Sequence, residues 1–213
     1  MATVITGQVG YQKQSDGAQQ APMAQGRSAE GIVTELHGKY YEQTRRGFVY
    51  TASQAIGGVL ATLYNATTAS AAIANPPGSP KGLSLIRIEV VIKTLAGTPV
   101  VGYYTTSVSP TANATAVTGT ALTAIPGLVG SGATPNGKAF TTATLPVAPS
   151  YYRPFAEKLT GSATTLPYAS ILSLDFDGSC ILMPGTYLAV GQDAADTSNA
   201  TIAATFVWEE VDL

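Results

Sequence analysis

The sequence is poor in charge. Lys, Arg, Asp and Glu make up 11 % of its 213 residues, where roughly 25 % is usual in soluble domains. Solvation therefore falls to Thr, Ser, Asn and Gln. The formal net charge of −2 leaves no Lys/Arg surplus for a nucleic-acid surface. Cysteine is almost missing as well. The single Cys180 excludes an intrachain disulfide framework and offers no thiolate set for a metal. There is one histidine, His37. No apolar run reaches the roughly 18–20 residues of a membrane helix, so no membrane partner is expected. The first twenty residues lack a basic stretch followed by an apolar core, so no secretion signal is expected and synthesis is cytoplasmic.

Charge is unevenly placed along the chain. Residues 13–46 hold Lys13, Asp16, Arg27, Glu30, Glu35, Lys39, Glu42, Arg45 and Arg46, whereas residues 47–80 hold none and residues 94–152 only Lys138. With 45 % hydrophobic residues the chain is too apolar to be disordered throughout. The pattern predicts an extended N-terminal arm over 1–46 and a compact body over 47–213. Gly31 and Gly38 each cost about 1 kcal/mol in a helix relative to Ala, so the segment from Glu35 to Arg45 is expected to be extended rather than helical.

The body reads as strands. In "LSLIRIEVVIKTL" apolar and polar residues alternate from Arg87 onward, with β-branched residues on the buried side. Thirteen residues is long for a strand, so a bulge is expected near residues 85–86. "GFVYTAS", "GVLATLYNA", "VVGYYTTSVS", "LPYASILSLDFDG" (with Ile171, Leu174 and Phe176 around alternating small or acidic residues), two short strands about the Pro184 and Gly185 turn, and "NATIAATFVWEEVDL" complete the set. Residues 109–139, 143–150 and 157–165 read as loops. Many short strands and no long helix predict an all-β antiparallel sandwich of jelly-roll or Greek-key type.

Chemistry has few candidates. In "ELHGKYYEQTRRGFVYTA", His37 with Glu35 or Glu42 would be a general base, but no serine elbow or cysteine nucleophile accompanies it. Tyr and Arg together favour a protein-binding strip, so His37, Tyr40, Tyr41, Arg45 and Arg46 are the expected partner contacts. Asp175 and Asp177 share one face if the strand continues through them, and such a pair could hold a cation or act as acid and base. A solvated strand end is the simpler reading. "GQDAADTSN" is rich in oxygen but lacks calcium-loop spacing, and "GLVGSG" lacks the Lys-Ser/Thr of a phosphate loop. The chain is therefore expected to be no enzyme and to need no cofactor. Tyr103 with Tyr104 and Tyr151 with Tyr152 keep open a second function, a receptor- or carbohydrate-binding sandwich (a fibre head or a tail or vertex module).

The succession "GRSAE…ELHGKYYEQTRRGFVY", "NPPGSPKGLSLIRIEVVI", "YYRPF", "ILMPGTYLAV" and "TFVWEEV" resembles tailed-bacteriophage head structural proteins of the capsid decoration (cement) type. The resemblance spans most of the chain and carries no catalytic motif. It implies a β-sandwich that binds the major capsid protein and other copies of itself on the outside of an icosahedral shell. The expected location is thus the capsid exterior of the virion. Homo-oligomers generally adopt closed symmetry, and by analogy the resemblance points to a trimer.

Overall fold

The computed structural model describes residues 38–54, 58–59, 66–94, 102–157, 171–193 and 201–213. The chain divides into two units, Met1–Tyr41 and Glu42–Leu213. Of the first, only residues 38–41 are described, so the expected arm lies almost wholly outside the described residues, His37 included.

A short helix, α1 (Tyr41–Arg45), precedes thirteen strands. They are β1 (Val49–Ser53), β2 (Gly58–Val59), β3 (Thr68–Ala74), β4 (Lys81–Thr94), β5 (Tyr103–Val108), β6 (Thr118–Leu122) and β7 (Ala124–Pro126). β8 (Lys138–Thr144), β9 (Ser150–Glu157), β10 (Ile171–Asp175), β11 (Ile181–Leu182), β12 (Tyr187–Gln192) and β13 (Thr201–Asp212) follow. The first sheet runs β10-β4-β13-β1-β7, with β11 on β4 and β2 on β13; the second runs β6-β8-β3-β12-β5-β9. All pairings among the described residues are antiparallel.

The path identifies the topology. β1, β3, β4 and β5 alternate between the sheets; β9 stays beside β5; β10, β12 and β13 alternate again. The eight strands form two quartets, β10-β4-β13-β1 and β3-β12-β5-β9, which is a jelly roll. The excursion between β5 and β9 adds β7 beyond β1, and β8 and β6 beyond β3.

Alternation in sequence builds the core. On β13, Ile202, Ala204, Phe206 and Trp208 are fully buried while Ala203, Thr205 and Val207 remain half-exposed. Leu83, Leu85, Ile88 and Val90 of β4 meet them. Each such side chain contributes about 1.5–3 kcal/mol by leaving water, and Trp208 also stacks on Tyr50 with centroids 5.8 Å apart. Two phases of alternation in β4 need an inserted residue. Val207 pairs with Arg87 but Trp208 with Leu85, so Ile86 is the extra residue of a bulge, as expected. Its carbonyl accepts the N–H groups of Phe176 and Asp177.

Two expectations need correction. Residues 41–45 are helical, not extended: Gly38 lies before the helix, its carbonyl accepting the Tyr41 N–H, instead of interrupting it. Phe48 N–H donates to the Gln43 carbonyl and Gly47 N–H to the Thr44 carbonyl, a Schellman closure. Gly47 takes the φ of +81° that this closure requires and that a side chain resists. The region 109–139 contains β6 and β7 and is not a continuous loop. Ile171 lies on the outer face and is 65 % exposed; its neighbours Leu172 and Leu174 pack on the core.

The second sheet has a second apolar layer on its outer side. Every residue of β12 is buried, and all of β3 except Thr68. Ala69, Ala72, Ala74, Ala143 and Ala189 form a cluster with Tyr187, Val117 and Leu145. Small side chains let the loops carrying Val117, Leu145 and Val147 lie close to the sheet. Tyr187 fixes this cover by donating its hydroxyl to the Val147 carbonyl at 2.6 Å. Burial pushes that phenol up to about 12.

Candidate interaction surface

α1 and the residue after it gather three charged side chains. The helix has no buried residue, so its short length is held by local interactions. Glu42, in its first turn, accepts from Arg46 Nε at 3.3 Å and lies 3.9 Å from Arg45 Nη1. One carboxylate is thus shared by two guanidinium groups, and all three side chains are about half exposed. Such pairs support a helix by about 0.3–0.5 kcal/mol each. On its other side Thr44 meets β1 and β7: a Cβ placed on Gly127 would stand 3.1 Å from the Thr44 methyl and 3.6 Å from Val49 Cβ. Of the expected contacts, Tyr41 and Arg45 therefore share one exposed helix and Arg46 begins the turn that ends it. Tyr40 precedes it, half-exposed, with Lys39 Nζ 5.2 Å from its ring centre. His37 lies outside the described residues.

Apolar groups are exposed beside this helix. Ile125 of β7 is 55 % and Val129 82 % exposed, with Leu128 between them in the chain also open to solvent. Leu128 and Val129 belong to "GLVGSG", which forms a turn with Gly130 and Gly132 at positive φ. An apolar pair between turn glycines is the signal that marks this tip. A phosphate-loop comparison passes over it.

The adjacent glutamates near the C-terminus split in function. Glu210 is buried and accepts from Asn136 N–H at 2.6 Å, Asn136 Nδ2 at 2.8 Å and Gly137 N–H at 2.9 Å. It staples the turn that leads into β8. Its charge, after burial itself, also raises the Tyr50 phenol. Glu209 faces outward between Val49 and Ser84, and partial burial raises its carboxyl above the ordinary value. Across Ser84 from it stands Ile181, about half exposed.

The tyrosine pairs do not form one stacking platform. Tyr104 is buried against Phe155, and Tyr152 stacks on Phe176 at 6.3 Å. The exposed members, Tyr103 and Tyr151, sit at opposite ends of the pairing of β5 with β9. Arg153 lies 4.9 Å from the Tyr152 ring centre and 5.7 Å from that of Phe176, a cation–π arrangement not signalled by sequence spacing. Beside it, burial pushes the Cys180 thiol up and keeps it a poor nucleophile.

The carboxylate pair is also taken apart. Asp175 ends β10 and pairs with Arg87 at 2.5 Å, whereas Asp177 leaves the strand with φ +47°. The strand does not continue through both residues, because the turn anchored on Ile86 begins at Phe176. Residues 194–200 of the oxygen-rich loop lie outside the described residues; Asp193 accepts the Tyr103 N–H at 2.8 Å. Among the described residues no group of three His, Cys, Asp or Glu side chains could hold a metal ion.

Comparison with known proteins returns no neighbour: no family model matches the chain, no curated protein matches its sequence and no solved structure matches its fold.

Proposed function

We propose that this chain is a structural protein of a phage virion that decorates an icosahedral capsid and stabilises it by binding the major capsid protein and neighbouring copies of itself. One observation carries the reading. At the exposed helix α1 and the turn that ends it, two arginines share a single carboxylate, and exposed apolar residues stand in the turn after β7. Arg and exposed apolar area together suit a protein partner. The surplus guanidinium charge suits an acidic group on that partner. The jelly-roll path is compatible with this role without requiring it. A protein that binds only the assembled shell stabilises it by mass action, and no reacting group is needed.

The separation of Tyr103 from Tyr151 gives the sugar-binding alternative less support. Protein quantification of purified particles tests the proposal. Copy numbers comparable with the shell protein are expected. A few copies per particle would place the chain at a tail or vertex and overturn the decoration reading.

A further inference from the structure

Among the described residues the two sheet paths end on four strands, with the two-residue strands β2 and β11 set beside them, and three of the four are poor templates for another strand. β9 carries Pro154, and Tyr152 and Phe155 are extra residues at two register shifts against β5. β6 is interrupted by a register shift at Gly119. β7 is three residues long and ends in Pro126. Shortness, proline and bulges are the devices that stop sheet edges from pairing.

β10 has none of them. Its five residues pair with β4 in unbroken register, from Ile171 opposite Val91 to Asp175 opposite Arg87. Its one charge is neutralised by the ion pair of Asp175 with Arg87. Leu172 and Leu174 point to the core yet stay half-buried, because among the described residues their strand has a neighbour on one side only.

We infer that β10 is the edge through which two copies of this chain pair, antiparallel and centred on Ser173. In that register Ser173 meets Ser173 of the second copy, and Leu172 meets Leu174 twice across the two-fold axis. Both half-buried leucines are then covered, and the cores of the two copies join through one continuous sheet. Cross-strand apolar pairs of this kind are the unit of sheet stabilisation, and a two-fold contact of one patch with itself is the commonest oligomer geometry. The inference specifies the self-association in the proposed function. It is tested on the purified chain without any shell, so its failure is distinct from failure of the capsid reading.

Residues directly opposite in an antiparallel pair have Cα atoms about 4.5–5.5 Å apart, within the roughly 4.4–6.8 Å that a disulfide spans. Ser173→Cys should therefore cross-link to a dimer under mild oxidation. Ile171→Cys should do so only when mixed with Asp175→Cys. The wild-type chain, whose Cys180 is buried, is the blank. Ser173→Lys, which places two like charges opposite each other, should weaken dimerisation in sedimentation at least about 100-fold while the thermal transition stays within a few degrees. A wild-type chain that sediments as a monomer at about 100 µM, weaker than the micromolar range of specific association, would overturn the inference. So would Ser173→Cys cross-linking no faster than a cysteine at the exposed Ser53.

Discussion

The two sheets are treated differently on their outer sides. The second is covered by the chain's own loops, over a floor of alanines narrow enough to admit them. The first keeps its outward positions half-exposed along β13 and fully exposed along β10. The features that the proposed function assigns to partners lie with the first sheet: Arg45 of α1 and Arg46 just after it, the apolar turn after β7, outward Glu209, and the edge of β10, which among the described residues pairs only with β4. Among the described residues no loop covers the outer side of the first sheet as Val117, Leu145 and Val147 cover the second, and the proposed function assigns that side to partners.

The largest effect should come from breaking the cover of the second sheet. Tyr187→Ala is expected to lower unfolding stability by about 3–5 kcal/mol, as large aromatic deletions in cores do. Tyr187→Phe removes only the bond to Val147 and should cost about 1 kcal/mol. Denaturant titration measures both. Next comes Glu210→Ala, which strands the N–H groups of Asn136 and Gly137. The same titration should show a loss of about 2–3 kcal/mol. A near-neutral result would mean that water replaces the carboxylate and that the turn before β8 is not stapled.

Changes on the first sheet's side should spare the fold. Arg45→Ala with Arg46→Ala should alter stability by no more than about 0.5 kcal/mol, yet weaken binding to shells. Unfolding of the body would show instead that α1 belongs to its core. The smallest effect is expected at Glu209. Its raised folded pKa means that the folded state holds the proton more tightly than the unfolded chain. Stability is therefore lost as pH rises from the ordinary carboxyl value of 4.5 through the raised one. Glu209→Gln should be slightly more stable than wild type at neutral pH. The difference should vanish below the ordinary carboxyl range, as thermal melts across pH would record.

The same contrast explains what the sequence reveals. β13 and β4 are legible because each has one wet and one dry face, which writes a period of two into the residues. The bulge at Ile86 is legible because that period breaks. β3 is hidden: "TASAAIA" has four alanines in seven residues, a residue depleted in strands. Only a strand sandwiched between two layers needs such small side chains. At the candidate site, Arg45 and Arg46 stand out by composition, and the helix end where they sit is marked by Gly47 rather than by the earlier glycines. The role of Glu210 is not legible, since its acceptor contacts are to residues 73 and 74 positions away. The division of the tyrosine pairs follows from two bulges in β9 that no local pattern announces.

Hydrogen exchange compared between the free chain and the assembled particle tests the central claim most directly. The account predicts that amides of β10 and of residues 41–47 slow markedly on assembly, while those of the loops bearing Val117 and Leu145 exchange alike in both states. Protection confined to the loops over the second sheet, with β10 and α1 unchanged, would contradict it.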